Sequence, residues 1–133
     1  MATILVVDDY TTSQRLLSFI LRQNNHTVVT AMHGLGALEQ LEKISVELVI
    51  TDLRMPEMDG LALLHALRAD RRYQNIPVII LTGSAYEQDN ARAKAAGATS
   101  FLTKPVESEE LIAMVNRLLG QSEASEPLSS LLR

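Results

Sequence analysis

Five chemically capable side chains in this 133-residue sequence share one local setting: each stands at the end of a short strand-like run or just beyond it. Asp8 and Asp9 follow Ile4-Leu5-Val6-Val7, and Asp52 closes a run that begins at Leu48. Thr82 closes a run that begins at Pro77, and Lys104 follows the run 99–103. If these runs lie side by side, three carboxylates, a hydroxyl and an ammonium meet at one edge. Two unit charges ~5 Å apart repel by roughly 3 kcal/mol at an effective dielectric of about 20. Three ionised acids held together therefore require a proton or a cation. An all-oxygen ligand set without His or Cys favours a hard ion, Mg²⁺ above the rest, with Mn²⁺ as the alternative. A carboxylate beside such an ion can act as a nucleophile and form an aspartyl phosphate. Lys104 would then supply a point charge to one phosphoryl oxygen, and the Thr82 hydroxyl a hydrogen bond to another. The set reads as a phosphoryl-accepting aspartate with its own electrophilic clamp.

The elements that must position these residues alternate. The spacing predicts strands at 4–7, 27–31, 48–52, 77–82 and 99–103. Continuous β-branched-rich apolar runs of this kind suit strands covered on both faces. Between them lie helical patterns. The first carries Leu16, Leu17, Ile20 and Leu21 and is capped by Thr11 or Thr12. The second shows Leu35, Leu38 and Leu41 on one face after the turn signal His33-Gly34. A third spans 61–69 behind Asp59 as N-cap. A fourth, alanine-rich, spans 86–96 and is closed by Gly97 as its C′ glycine. The last runs from 107 to 119, after Lys104-Pro105. Five β-α units imply right-handed crossovers, a parallel sheet and helices on both of its faces. In such a sheet ligands sit beyond the carboxyl ends of the strands, where the five residues lie.

Composition bounds the rest. The chain is 47% hydrophobic and 21% charged, as expected for one folded domain rather than a disordered segment. No apolar run approaches the ~18 residues of a membrane span, and the first residues lack a signal-peptide pattern. Zero cysteines exclude disulfides and thiolate metal sites, and are compatible with a cytoplasmic protein. A net charge of −4 argues against direct nucleic-acid binding by bulk positive charge.

Each residue has a plainer reading as well. A lone Asp at a strand end is usually a turn or cap residue, and the Asp8-Asp9 pair could serve only the start of the first helix. A Lys before Pro is usually surface. Those readings weaken jointly, because independent turn residues have no reason to share one sheet edge. Other chemistries fit less well. A haloacid-dehalogenase-like phosphatase expects a second Asp two residues after the nucleophile, where Arg54 stands. A dinucleotide enzyme needs a Gly-rich turn in place of Asp8-Asp9-Tyr10-Thr11. A flavin carrier wants aromatic flanks, and only 4% of the chain is aromatic. Phe19 reads as a partly covered edge of the first helix's apolar stripe. Arg68, Arg71 and Arg72 read as a solvated helix end, and Met55 and Met58 as loop packing.

With these residues in view, the chain resembles the response-regulator receiver domains of two-component signalling, the single-domain chemotaxis receivers in particular. The resemblance rests on Val6-Val7-Asp8-Asp9, on the run Asp52-Leu53-Arg54-Met55-Pro56-Glu57-Met58-Asp59-Gly60, on Leu81-Thr82-Gly83, on Gly97-Ala98 and on Phe101-Leu102-Thr103-Lys104-Pro105. It implies a flavodoxin-like (βα)5 fold with strand order 2-1-3-4-5 over residues 1–119, and a tail or linker start at 120–133. By the same resemblance Asp52 is the phosphoacceptor. Mg²⁺ is held by Asp9, Asp52 and the backbone carbonyl of Arg54, with Asp8 acting through water. Thr82, Lys104 and Phe101 form the phosphoryl-binding switch. Phe101 stands where many receivers have Tyr, so its inward and outward states differ by packing alone. Arg54 and Ser84 occupy positions that tune phosphoryl lifetime, and the small Gly83 leaves room for the donor. The Lys104-Pro105 bond is expected to be cis. Tyr10, Ser13, Pro105 and Val106 resemble the patch on which a histidine kinase or histidine phosphotransfer protein docks.

Phosphorylation would reset the surface of the fourth helix, fifth strand and fifth helix for an unidentified output protein. With about 14 residues beyond the receiver unit, no output domain is expected, and the signal leaves by partner binding. The protein is then a signalling domain, not an enzyme, although it promotes its own phosphorylation and autodephosphorylation. The alternative is a phosphorylation-independent binding scaffold on the same fold.

Overall fold

The computed structural model describes residues 2–55, 57–83 and 87–122. Five strands alternate with five helices: β1 (Thr3–Val7), α1 (Thr11–Gln23), β2 (Thr27–Ala31), α2 (Gly34–Lys43), β3 (Leu48–Asp52), α3 (Gly60–Ala69), β4 (Val78–Thr82), α4 (Glu87–Ala95), β5 (Ser100–Thr103) and α5 (Ser108–Ser122). All strand pairs are parallel, in the order β2-β1-β3-β4-β5.

The uninterrupted apolar runs are explained by burial on both faces. Alternate residues Ile4, Val6, Ile50, Ile79 and Leu81 pack against Leu17 and Leu21 of α1 and Leu111, Val115 and Leu118 of α5. The intervening Leu5, Val7, Val49 and Ile80 pack against Ala37 and Leu41 of α2, Leu63, Leu64 and Leu67 of α3 and Ala93 of α4. Each fully buried aliphatic side chain contributes roughly 1.5–3 kcal/mol. Met55 and Met58 pack at the edge of the second cluster, as loop residues should. No helix among the described residues is long and apolar enough to cross a membrane.

Several local expectations change. α1 begins at Thr11 itself, and its N-cap, Tyr10, offers no side-chain cap. The buried stripe of α1 is Leu17, Ser18 and Leu21, while Leu16 and Phe19 are 55% and 59% exposed. At 100° per residue, Leu16 and Phe19 are turned well away from the Leu17–Leu21 line that faces the sheet. Ser18 fits there because its hydroxyl donates to the Gln14 carbonyl at 2.8 Å. On α2 the buried positions are Gly34, Ala37 and Leu41, and Leu35 is exposed. His33 caps that helix, its Nδ1 accepting the Gly36 N–H.

Arg68 is not a solvated helix end. Its guanidinium donates to the carbonyls of Gly97, Tyr73 and Gln74 at 2.9, 3.3 and 3.2 Å, and burial lowers its pKa. Its side chain lies against Gly97, whose φ of +104° closes α4 in the left-handed conformation. Arg72 instead pairs with Glu42 and Asp70. α5 continues three residues past 119, since nothing at Gly120 reverses the chain. Residues 123–133 lie outside the described residues.

Asp59 does cap α3, its Oδ1 accepting the Ala62 N–H at 2.9 Å. Asp59→Ala is expected to lower unfolding stability by about 0.5–2 kcal/mol in denaturant titration, as for other lost N-caps.

Candidate functional site

Register aligns the site. Val7 pairs with Thr51, Asp52 with Leu81, and Thr82 with Thr103. Asp8 is therefore level with Asp52, and Lys104 stands one step beyond Thr82, all at the carboxyl edge. One oxygen from each of Asp8, Asp9 and Asp52 lies within 4.8 Å of the others. Lys104 Nζ reaches Asp52 Oδ2 at 3.0 Å and Asp8 Oδ2 at 3.4 Å.

Backbone contacts fix each acid. Leu53 N–H donates to Asp52 Oδ1 at 2.8 Å, and the buried Thr51 hydroxyl donates to the Asp52 carbonyl at 2.9 Å. Asp8 is fully buried, its Oδ1 taking the Tyr10 N–H at 2.9 Å. Gly60 lies so close to β3 that a Cβ there would overlap the Asp52 carbonyl oxygen.

Burial raises the pKa of Asp52 above its ordinary value. The Lys104 hydrogen bond and charge pull it back, and Asp8 adds to the rise. Burial pulls Lys104 down, but the hydrogen bonds and charges of Asp52 and Asp8 outweigh it and leave its pKa raised. Lys104 is thus held as a cation between two acids. Two of the three carboxylates share that lysine, Asp9 has no contact with it, and the donor set is all oxygen. That fits a small hard cation.

The sequence match to the response regulator receiver domain runs over residues 4–116, most of the chain. The chain belongs to the response regulator receiver family. It is a receiver domain of two-component signalling. It is 34% identical over 122 residues to the chemotaxis protein CheY1 of Helicobacter pylori, covering 90% of this chain and 98% of that one. Some matched relatives are longer: this chain spans 8% of one and 51% of another. The signal receiver domain of a histidine kinase from Syntrophus aciditrophicus superposes with a TM-score of 0.88 at 33% identity, covering 98% of each chain. The receiver domain of sensor histidine kinase PA1611 from Pseudomonas aeruginosa, 28% identical, superposes at 0.83 over 90% of this chain and 98% of that one. That structure holds a magnesium ion coordinated in its active-site cleft.

In this receiver the five residues singled out by type share the carboxyl edge of the sheet. Thr82 is buried at the end of β4, and Phe101 is partly buried on β5 against the second core cluster. Arg54 is exposed in the loop after β3. The Lys104-Pro105 bond is cis. Pro105 is exposed, and Val106 packs at the edge of the α1/α5 cluster. Tyr10 is 63% exposed and Ser13 half-buried. Ser84 lies outside the described residues.

Sequence reasoning passed over the Thr51 hydroxyl on the Asp52 carbonyl and the close approach of Gly60 to β3. Gly60 alone carried a signal: it stands eight residues after Asp52, at the start of a helix, where glycine is a poor helix former.

Proposed function

We propose that Asp52 accepts a phosphoryl group from a phosphohistidine on a histidine kinase or histidine phosphotransfer protein. The observation that carries this reading is the convergence of Asp8, Asp9 and Asp52 with Lys104 Nζ 3.0 Å from the acceptor. Asp9, Asp52 and the Arg54 carbonyl would hold Mg²⁺, or Mn²⁺ in its place, with Asp8 one layer behind. When bound, the ion supplies positive charge that balances the acids and the incoming phosphoryl oxygens.

The carboxylate oxygen of Asp52 attacks phosphorus as the P–N bond breaks, and the electron pair leaves with the imidazole nitrogen, which takes a proton from solvent. Lys104 then turns from the carboxylate to the new phosphoryl oxygens. The Thr82 hydroxyl donates to another, and Phe101 moves into the space that Thr82 vacates. Both residues sit on β4 and β5, next to α4 and α5, so a local charge change resets the α4-β5-α5 face for an output partner. Water later cleaves the acyl phosphate and restores Asp52.

The donor protein docks on Tyr10, Ser13, Pro105 and Val106. Leu16 and Phe19 are exposed on α1, the helix that carries Ser13. A cysteine-free chain is in keeping with the cytoplasm as its compartment. Arg54, two residues beyond the acceptor, covers the acyl phosphate and hinders water, and Ser84 acts at the same stage. Arg54→Ala is expected to shorten the phosphoryl lifetime several-fold, measured as release of label from purified phosphoprotein. An unchanged lifetime would remove Arg54 from the mechanism.

The whole reading is tested by adding beryllofluoride and Mg²⁺, which imitate the phosphoryl group. Amide shifts around Asp52, Thr82 and Phe101, continuing into α4 and α5, are expected. Unchanged spectra would support the phosphorylation-independent scaffold instead.

A further inference from the structure

Asp9 is the acid whose position has the least support from its own side chain. Its carboxylate is exposed and has no hydrogen-bonding partner among the described residues. Its place is therefore set by its backbone, and that backbone is set through Asp8. The Asp8 N–H donates to the Ala31 carbonyl at 3.1 Å. Its carbonyl accepts from Gln14 Nε2 at 3.2 Å, and the same amide donates to the Ala31 carbonyl at 3.0 Å. Met32 Sδ lies 3.5 Å from that nitrogen. One side-chain NH2 thus spends both protons on the ends of two neighbouring strands, β1 and β2, and ties them to α1. A primary amide suits this place because it presents two donors at one nitrogen. A carboxylate of the same size would set negative charge against two carbonyl oxygens.

We propose that Gln14 is the positioning residue of the acidic loop. It holds the backbone of Asp8, and with it the Asp9 carboxylate, at the distance from Asp52 that a divalent cation needs. The inference rests on reading the three acids as a cation site, and assigns Gln14 no contact with the ion. Groups that orient metal ligands typically change affinity by roughly 10–100-fold when removed.

The test uses the full chain without any phosphodonor. Mg²⁺ is titrated into the wild type, Gln14→Leu and Gln14→Glu, with the amide signals of Asp9 and Asp52 as readout. Thermal unfolding of each protein is measured in EDTA. The expected result is a Mg²⁺ Kd raised at least about tenfold in both variants, while the metal-free proteins still unfold cooperatively. If Gln14→Leu does not fold, Gln14→Met fills the same volume with a flexible chain and is titrated in its place. A wild-type Kd in any folded variant, with or without a lower unfolding temperature, overturns the proposal and leaves Gln14 a purely structural residue. Failure of the wild type itself to bind Mg²⁺ would instead overturn the reading of the three acids as a cation site.

Discussion

Asp52→Asn is expected to abolish phosphoryl uptake and, at neutral pH, to make the metal-free protein more stable. The first effect follows from chemistry: a neutral amide is a far poorer nucleophile, and no other described acid sits 3.0 Å from Lys104 in an equivalent place. The second follows from electrostatics. The pKa of Asp52 is raised from about 3.8, with burial as the leading cause. A raised pKa in the fold means the native state prefers the protonated form. The associated stability is fully present below the ordinary carboxylate pKa and is lost as pH rises through the raised folded value. At neutral pH the wild type carries that loss and the Asn variant does not. The gap in unfolding stability should open as pH rises above ~4 and vanish below it. Added Mg²⁺ should reverse the order, because it binds the native wild type and stabilises it by mass action. Equal stabilities at pH 4 and pH 7, in EDTA, would contradict the electrostatic account.

Gly60→Ala is the second large effect. Gly60 opens α3, donates its N–H to the Leu53 carbonyl at 2.8 Å, and faces the backbone of Asp52 and Leu53. An added Cβ would overlap the Asp52 carbonyl oxygen and come within 2.9 Å of Leu53 Cα. Both are main-chain atoms, so no rotamer change relieves the contact, and the end of β3 must move. Overpacking of this kind costs about 1–3 kcal/mol. The displaced atoms include those that aim Asp52, the proposed acceptor, and a misplacement near 1 Å can cost about 10²-fold in rate. The variant should therefore lose both unfolding stability and phosphoryl uptake. Gly120→Ala is the control: it sits in α5 with open space around it and should gain roughly 0.5–1 kcal/mol. Full uptake by Gly60→Ala would show that the end of β3 tolerates the shift.

The site was legible where its chemistry coincided with strand ends. Asp8, Asp9, Asp52, Thr82 and Lys104 each end or follow a strand-like run, and parallel register then brings them to one edge. The strand order came with the resemblance, since periodicity alone does not say which strands are neighbours. Helix faces were less legible. Leu16, Phe19 and Leu35 fit helical spacing by type, yet the sheet selects Leu17, Ser18 and Leu21 on α1, and Gly34, Ala37 and Leu41 on α2. Small residues there allow close approach, which a count of apolar residues does not register. Gln14 and Thr51 were illegible for another reason. They act on carbonyl oxygens, and every residue carries one, so only the folded chain shows which is within reach. Arg68 repeats the point, its charge satisfied by three carbonyls that a run of basic residues gives no hint of.

The central claim is that Asp52 takes up one phosphoryl group in a cation-dependent step. The most direct measurement is the mass of the intact protein after incubation with phosphoramidate, in Mg²⁺ and in EDTA, followed by borohydride trapping and peptide mapping. The expected result is the gain of a single phosphoryl group in Mg²⁺ alone, mapped to Asp52. No gain in Mg²⁺, or a phosphoryl group mapped to another residue, would contradict it.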